Sequence, residues 1–183
     1  MSAKDFPRPG RRISDSARAS MLRVDQAGEF GATRIYAGQL AVMGDRHPDA
    51  RVIAGMAAQE ERHRKIFDAL MSKRGVRPTA LTPMWNVAGF ALGAVSAAIG
   101  PRAAMACTAA IETEIDRHYE QQREELGQDD PELSALIEDF QAEEVEHRET
   151  AIAHGAEQAV AYPLLSHAVR LGCRAAIALS KRI

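Results

Sequence analysis

A chain of 183 residues, 46% hydrophobic and 26% charged, can close one sizeable core but hardly two, since domains cluster near roughly 100–150 residues. Aromatic residues make up only 5%, and Val, Ile and Thr rarely alternate, which disfavours an all-β sandwich or barrel and leaves a helical protein. The net charge of -2 is a cancellation: residues 1–24 carry six basic and two acidic side chains, 25–111 ten and seven, 112–157 three and sixteen, and 158–183 four and none. The acidic block argues against a nucleic-acid binder, which needs a continuous basic face, while basic ends around an acidic centre suit a protein that holds cations inside and touches anionic lipid outside.

Residues 1–13 read as a flexible arm preceding one helical domain over 14–183. The arm lacks the apolar stretch of a secretory signal, and Asp5, Asp15, Pro7 and Pro9 weaken an organellar transit reading. Helical periodicity starts at Ser14 or Asp15, either a plausible N-cap, and runs to about Gly44. Pro48 and Asp49 open a second helix that reaches Arg74, with Gly75 just past its end. Between Arg77 and Arg102 lie 24 residues without a charge. Pro78 and Pro83 break this run and Ala and Gly dominate it, so a full bilayer span is disfavoured. A buried connecting helix fits better, or one lying in a membrane interface with Trp85 near the headgroups. A third bundle helix runs from Pro101 to about Gly127 and a fourth from Pro131 to about Gly155. The terminal segment from Ala161 forms a last helix, apolar along one side and carrying Arg170, Arg174, Lys181 and Arg182. Cys107 and Cys173 lie 66 residues apart, which excludes a disulfide framework or zinc knuckle and fits a reducing compartment.

Two Glu-x-x-His pairs occur, Glu60 with His63 and Glu144 with His147. Alone they are weak evidence; their position makes them informative. The inward seam of the second helix reads Met56, Glu60, His63, Phe67, Leu70, and that of the fourth reads Leu133, Ile137, Phe140, Glu144, His147, Ala151, His154, both alternating steps of four and three. The first helix places Leu22, Glu29, Tyr36, Leu40 and Met43 on a comparable stripe, and the third Met105, Thr108, Glu112, Ile115 and Tyr119. Each single glutamate is thus followed seven residues later by a tyrosine. Counted from the turns at 1.5 Å per residue, Glu29 meets Glu60 and His63 at one level, and Glu112 meets Glu144 and His147 likewise. The chain is an internal duplication of a glutamate followed, 31 or 32 positions later, by Glu-x-x-His. The 52 positions from Glu60 to Glu112 demand a long crossover, as in ferritin-like four-helix bundles.

Four carboxylates in an apolar core would repel and desolvate one another unless cations neutralise them. Four Glu and two His distributed in this way are the di-iron or di-manganese carboxylate arrangement, and oxygen-rich ligation with one imidazole per metal suits iron or manganese better than zinc or copper. The bland reading is that the buried polar groups merely pair with one another. Tyr36 reads as structural. His118 lies off the ligand position, open either to contact with a substrate or reductant or to solvent. Glu143 directly precedes a ligand, where it orients a ring on the facing helix or is simply solvated. His154 reads as core or as support for the metal ligands, and His47 and His167 have no assigned role. Gly28, Gly31 and Gly38 cost helix propensity and point to close approach of another helix or a bulky ligand.

The stretches LRVDQAGEFGATRIYAGQLAV, RPTALTPMWNVAGFALGA, MACTAAIE and AEEVEH resemble the demethoxyubiquinone hydroxylase family of ubiquinone biosynthesis, over almost everything from Met21 to Ile183. The resemblance implies that Glu29, Glu60, His63, Glu112, Glu144 and His147 match the family's iron ligands. It implies a monooxygenase that hydroxylates the ring of a demethoxyubiquinone or demethoxyubiquinol precursor with dioxygen and two external electrons, NADH being the expected donor. His118 and Tyr119 match a His-Tyr pair linked to that electron transfer. No Gly-x-Gly-x-x-Gly fingerprint is present, so a nicotinamide would need another surface. A polyprenyl quinone tail requires apolar walls, for which residues 84–99 and the terminal helix are the candidates, and it implies a peripheral protein of the cytoplasmic face of a bacterial inner membrane, or else of the matrix side of the mitochondrial one. Partners implied are membrane lipid, a lipid-binding accessory protein or other enzymes of ubiquinone biosynthesis, and no nucleic acid. The rival readings are a ferritin-like ferroxidase or iron store, a di-iron hydroxylase of another substrate, and a purely structural membrane-associated bundle.

Overall fold

A computed structural model describes residues 12–44 and 47–182. The arm predicted over residues 1–13 lies almost wholly outside them, as do Asp45 and Arg46 of the first turn. Six α-helices form among the described residues: α1 Asp15–Met43, α2 Ala50–Arg74, α3 Thr82–Ile99, α4 Pro101–Leu126, α5 Pro131–Ala153 and α6 Tyr162–Ser180, with a short 3-10 turn Ala156–Gln158 before the last. No strand occurs among the described residues.

Local chemistry sets the helix ends. Ser14 is the N-cap of α1, its hydroxyl accepting from the Ala17 amide at 3.2 Å, and Asp130 caps α5 by accepting from Leu133 N at 3.1 Å, each satisfying an otherwise orphaned donor. Gly75 ends α2 in the left-handed conformation at φ 65°, ψ 27°, which costs glycine nothing. The fourth bundle helix stops at Ala153, two residues short of the expected Gly155. His154 is consequently turned outward to pair with Asp49 at 2.8 Å, a surface contact rather than the core or ligand-supporting place read from the seam.

Helices α1 and α2 form one antiparallel hairpin and α4 and α5 the other. Contacts from Gln39 to Ala104, Tyr36 to Glu112 and Tyr119 to Glu29 run α4 antiparallel to α1. The two hairpins close an apolar cluster at each end. One contains Tyr36, Ile53, Met56, Met105 and Ala151; the other contains Leu22, Phe67, Leu133, Ile137 and Phe140. Between them lies the level predicted for the glutamates.

The uncharged crossover is helix α3, which returns the chain along α1 to start α4. Glycine permits the approach. A Cβ on Gly93 would sit 1.9 Å from the carbonyl oxygen of Ile35, and one on Gly38 would sit 2.2 Å from that of Phe90. The close approach expected at Gly38 is therefore real, while a Cβ at Gly28 or Gly31 would meet nothing closer than Ile115 at 3.8 Å. Trp85 is half-buried at the seam with α6, its indole N–H donating to Ser180 Oγ at 3.1 Å.

Helix α6 covers the α1–α4 face through Ile35, Cys107, Ala110, Ile111 and Val169. The buried Glu114 of α4 anchors it, accepting from Arg170 Nε at 2.6 Å and Arg174 Nε at 2.8 Å. Two of the terminal helix's basic residues are thus tied to a buried carboxylate while their guanidinium ends stay partly exposed. Hydrogen bonding from Arg174 holds the Glu114 carboxyl below its ordinary range, against the opposing effect of burial and with further help from Arg170.

Two stability outcomes follow from this packing. Gly93→Ala pushes two backbones apart and lowers stability by roughly 1–3 kcal/mol, the cost of overpacking a closed contact, measurable as a drop in Tm. Because the folded-state pKa of Glu114 is depressed, its contribution is fully present above the unfolded value near ~4.3 and fades as pH falls through the folded value. Glu114→Gln therefore costs about 1 kcal/mol near neutrality, small because the arginines are partly solvated, and the difference from the parent in urea unfolding shrinks below about pH 4.

Candidate metal centre

The six side chains predicted to share one level do meet. Glu29 from α1, Glu60 and His63 from α2, Glu112 from α4, and Glu144 and His147 from α5 are all buried to 3% exposure or less. They form two overlapping groups whose potential ligand atoms all lie within 4.8 Å of one another. One comprises Glu29, Glu60, His63 and Glu144; the other comprises Glu60, Glu112, Glu144 and His147. Glu60 and Glu144 belong to both, as bridging carboxylates would.

Hydrogen-bond accounting tests whether cations fit. Glu60 Oε1, both Glu144 carboxylate oxygens, and the Nδ1 atoms of His63 and His147 are buried without a hydrogen-bond partner. Each imidazole nonetheless points Nδ1 at carboxylates: His63 lies 3.4 Å from Glu144 Oε1 and 3.5 Å from Glu29 Oε2, and His147 lies 3.1 Å from Glu60 Oε1 and 3.3 Å from Glu144 Oε2. Unpaired acceptors converging in an apolar interior are costly alone and are the donor set that two hard or borderline divalent ions require. Burial and mutual repulsion raise Glu60 and Glu112 well above the usual carboxylate range. Burial alone would lower His63, but the Glu144 and Glu29 carboxylates facing its Nδ1 lift it to about 10. Divalent ions therefore compete with protons held inside the bundle.

The two tyrosines cross over. Tyr36 of α1 donates to Glu112 of α4 at 2.9 Å, and Tyr119 of α4 donates to Glu29 of α1. Each unpaired glutamate is thus oriented by the tyrosine of the other hairpin, which gives Tyr36 a polar partner beyond its filling role. Burial and the facing glutamates keep both phenols well above their ordinary range, hence protonated donors. Glu143 is not a solvated surface group: its Oε2 accepts from His63 Nε2 at 3.1 Å while Arg62 pairs with it.

His118 is buried, 6% exposed, with Nε2 3.3 Å from Asp25 Oδ1. The sequence reading missed Asp25, one turn before Glu29 on the same helix face, where the i, i+4 spacing was the available signal. Asp25 Oδ2 and both polar atoms of the Gln122 side chain lack partners. Burial raises the Asp25 carboxyl above its ordinary value, partly countered by His118.

A cavity of about 460 Å³ joins these groups. One part of its wall is Glu29, Glu60, Glu112, Glu144, Asp25, His118 and Tyr119. The rest is apolar, from Gly89 and Leu92 of α3 to Leu165, Val169, Cys173 and Ile177 of α6, with Trp85 and Ser180 beside them.

The sequence model of the family described as Ubiquinone biosynthesis protein COQ7 matches residues 16–180. The chain belongs to this family. It is 54% identical over 162 residues to a 3-demethoxyubiquinol 3-hydroxylase of Rhodospirillum rubrum, covering 88% of this chain and 76% of the relative. It is 50% identical over 174 residues to the NADPH-dependent 3-demethoxyubiquinone 3-hydroxylase, mitochondrial, of Mus musculus (93% and 80% covered), and 40% identical over 190 residues to the 5-demethoxyubiquinone hydroxylase, mitochondrial, of Saccharomyces cerevisiae (93% and 82%). The mouse relative's name specifies NADPH rather than the expected NADH.

Both groups share Glu144, whereas Glu112 belongs to one. Glu144→Ala leaves well under one tightly bound ferrous ion per chain after anaerobic dialysis, whereas Glu112→Ala, which touches one group, retains close to one. Iron analysis on folded protein checks both.

Proposed function

We propose that this member of the COQ7 family is a di-iron monooxygenase that hydroxylates the ring of a demethoxyubiquinol precursor, with Glu29, Glu60, His63, Glu112, Glu144 and His147 as the iron ligands. The observation that carries the reading is the cavity: one continuous space is bounded by the carboxylate cluster and by apolar walls from α3 and α6. That shape admits a polar ring with a hydrocarbon tail, and the names of the relatives specify such a substrate. A pair of iron ions, when bound, supplies the redox chemistry that activates dioxygen.

The chain's own residues do the rest. Tyr36 and Tyr119 hold Glu112 and Glu29 in orientation. Asp25, able only to accept when ionised, keeps the proton on His118 Nε2 and sets the ring's attitude beside the cavity, so that His118 and Tyr119 can exchange protons and electrons with a quinol hydroxyl. Apolar walls exclude water from the centre. A reduced nicotinamide is the proposed ultimate electron donor.

The tail's exit argues for a lipid surface. Met84, Val87, Phe90, Val95 and Ile99 of α3, with Leu164 and Leu171 of α6, are exposed. Helix α3 is long and apolar enough to cross a membrane by length and composition, with 22% of that stretch buried, yet its contact with α1 along Gly89 and Gly93 favours lying against the bundle with its other face in the interface. We place the protein on the cytoplasmic face of a bacterial inner membrane.

Protein loaded with ferrous iron and supplied with a short-chain demethoxyubiquinol, reduced nicotinamide and dioxygen should yield a product heavier by one oxygen atom in mass spectrometry. Iron oxidation and storage without that product would instead favour the ferroxidase reading. Asp25→Asn should lower kcat by about 10–100-fold, the range for a residue that orients a working group, with iron content unchanged.

A further inference from the structure

The internal duplication is broken at one informative place. The residue just before each Glu-x-x-His reaches across to the imidazole of the other hairpin: His147 Nε2 meets Gln59 Oε1 at 2.9 Å, and His63 Nε2 meets Glu143 Oε2 at 3.1 Å. Gln59 Nε2 also donates to Glu143 Oε2 at 3.3 Å, which fixes its amide orientation and leaves Oε1 to accept from His147. A carboxylate can only accept, so His63 likewise carries its proton on Nε2. Both rings therefore keep a proton on Nε2 and turn Nδ1 toward the glutamates. The partners differ in charge, however. His63 bonds a carboxylate, held in place by Arg62; His147 bonds a neutral amide.

We propose that this Gln59/Glu143 difference makes the two cation sites unequal, the His63 site of Glu29, Glu60 and Glu144 binding a divalent ion more tightly than the His147 site of Glu60, Glu112 and Glu144. A charge-assisted hydrogen bond is roughly twice as strong as a neutral one, and it pushes electron density toward the ligating nitrogen, raising its basicity. The tyrosine bonds to Glu29 and Glu112 are reciprocal, whereas the His63 ring alone has Arg62 3.3 Å from its Nε2 and Phe140 stacked on it at 3.8 Å, so the substitutions at Gln59 and Glu143 are what isolate the effect of the partner's charge. Glu143 and Gln59 are positioning residues that act through the histidines. The inference rests on the reading of the six residues as metal ligands.

Anaerobic titration of the full-length metal-free protein with ferrous iron alone, counting bound ion at equilibrium, tests it. Repulsion between two ions spreads the steps even for identical sites, so the substitutions discriminate. His147→Ala keeps the tighter step and His63→Ala loses it. Glu143→Gln, which gives both rings an amide, weakens the tighter step about 10–100-fold and the weaker step by less than about threefold, drawing the two together. Gln59→Glu tightens the weaker step. At one equivalent of iron-57, Mössbauer spectra show one dominant ferrous environment in the parent protein and two in Glu143→Gln. Equal losses in the two histidine variants, or equal shifts of both steps in Glu143→Gln, overturn the proposal. Absence of any iron binding by a chain with full helical circular dichroism overturns the metal-ligand reading itself.

Discussion

Four glutamates and two histidines enclosed at the centre of a helical bundle set the terms for the rest of the molecule. Taking that many carboxylates out of water is unfavourable by far more than a marginally stable fold tolerates, and burial answers by pushing Glu60 and Glu112 toward their protonated forms. The same two groups of side chains are placed where divalent cations could be held. The apolar clusters above and below the cluster hold the helices together without depending on it, so the bundle can keep its unfavourable centre poised for metal.

Around that centre the two hairpins support one another crosswise. Tyrosine of one orients the glutamate of the other, and the residue before each Glu-x-x-His orients the opposite imidazole. A site braced from the facing hairpin is rigid only when both hairpins are docked, which couples the packing of the bundle to the geometry of the site. The cavity lies on the side where α3 and α6 pack. Glycines 38, 89 and 93 let α3 press its backbone against α1, and the Glu114 triad holds α6 against α4; together these helices roof the centre with apolar surface and leave a space on the scale of a small molecule.

Much of this was legible from spacing alone. The helix count, the long crossover and the meeting of six ligand-type side chains follow from period and arithmetic, because a helix rises by a constant amount per residue and a duplicated hairpin repeats its heights. Partners set by side-chain reach were harder to read. Asp25, Gln59 and the roles of Glu143 and Tyr36 depend on which residue of the facing helix lies within 3 Å or so, and a half-turn of rotation about a helix axis is invisible to spacing. His154 was misread for the same reason: it continues the seam in register, but α5 ends before the seam can carry it inward.

The sequence by itself determined that this is a helical bundle with a duplicated centre of carboxylates and imidazoles at one level, since both conclusions rest on periodicity and on the constant rise of a helix. Tertiary structure alone decided where its basic residues and apolar segments go. Arg170 and Arg174 reach back to Glu114 while staying partly exposed, and Trp85 turns to Ser180, because a helix docked on a bundle satisfies its polar groups with the nearest partner on it. The uncharged crossover divides its surface between glycine contacts with α1 and exposed apolar side chains, a partition that composition cannot reveal and that only the rotation of α3 about its own axis settles.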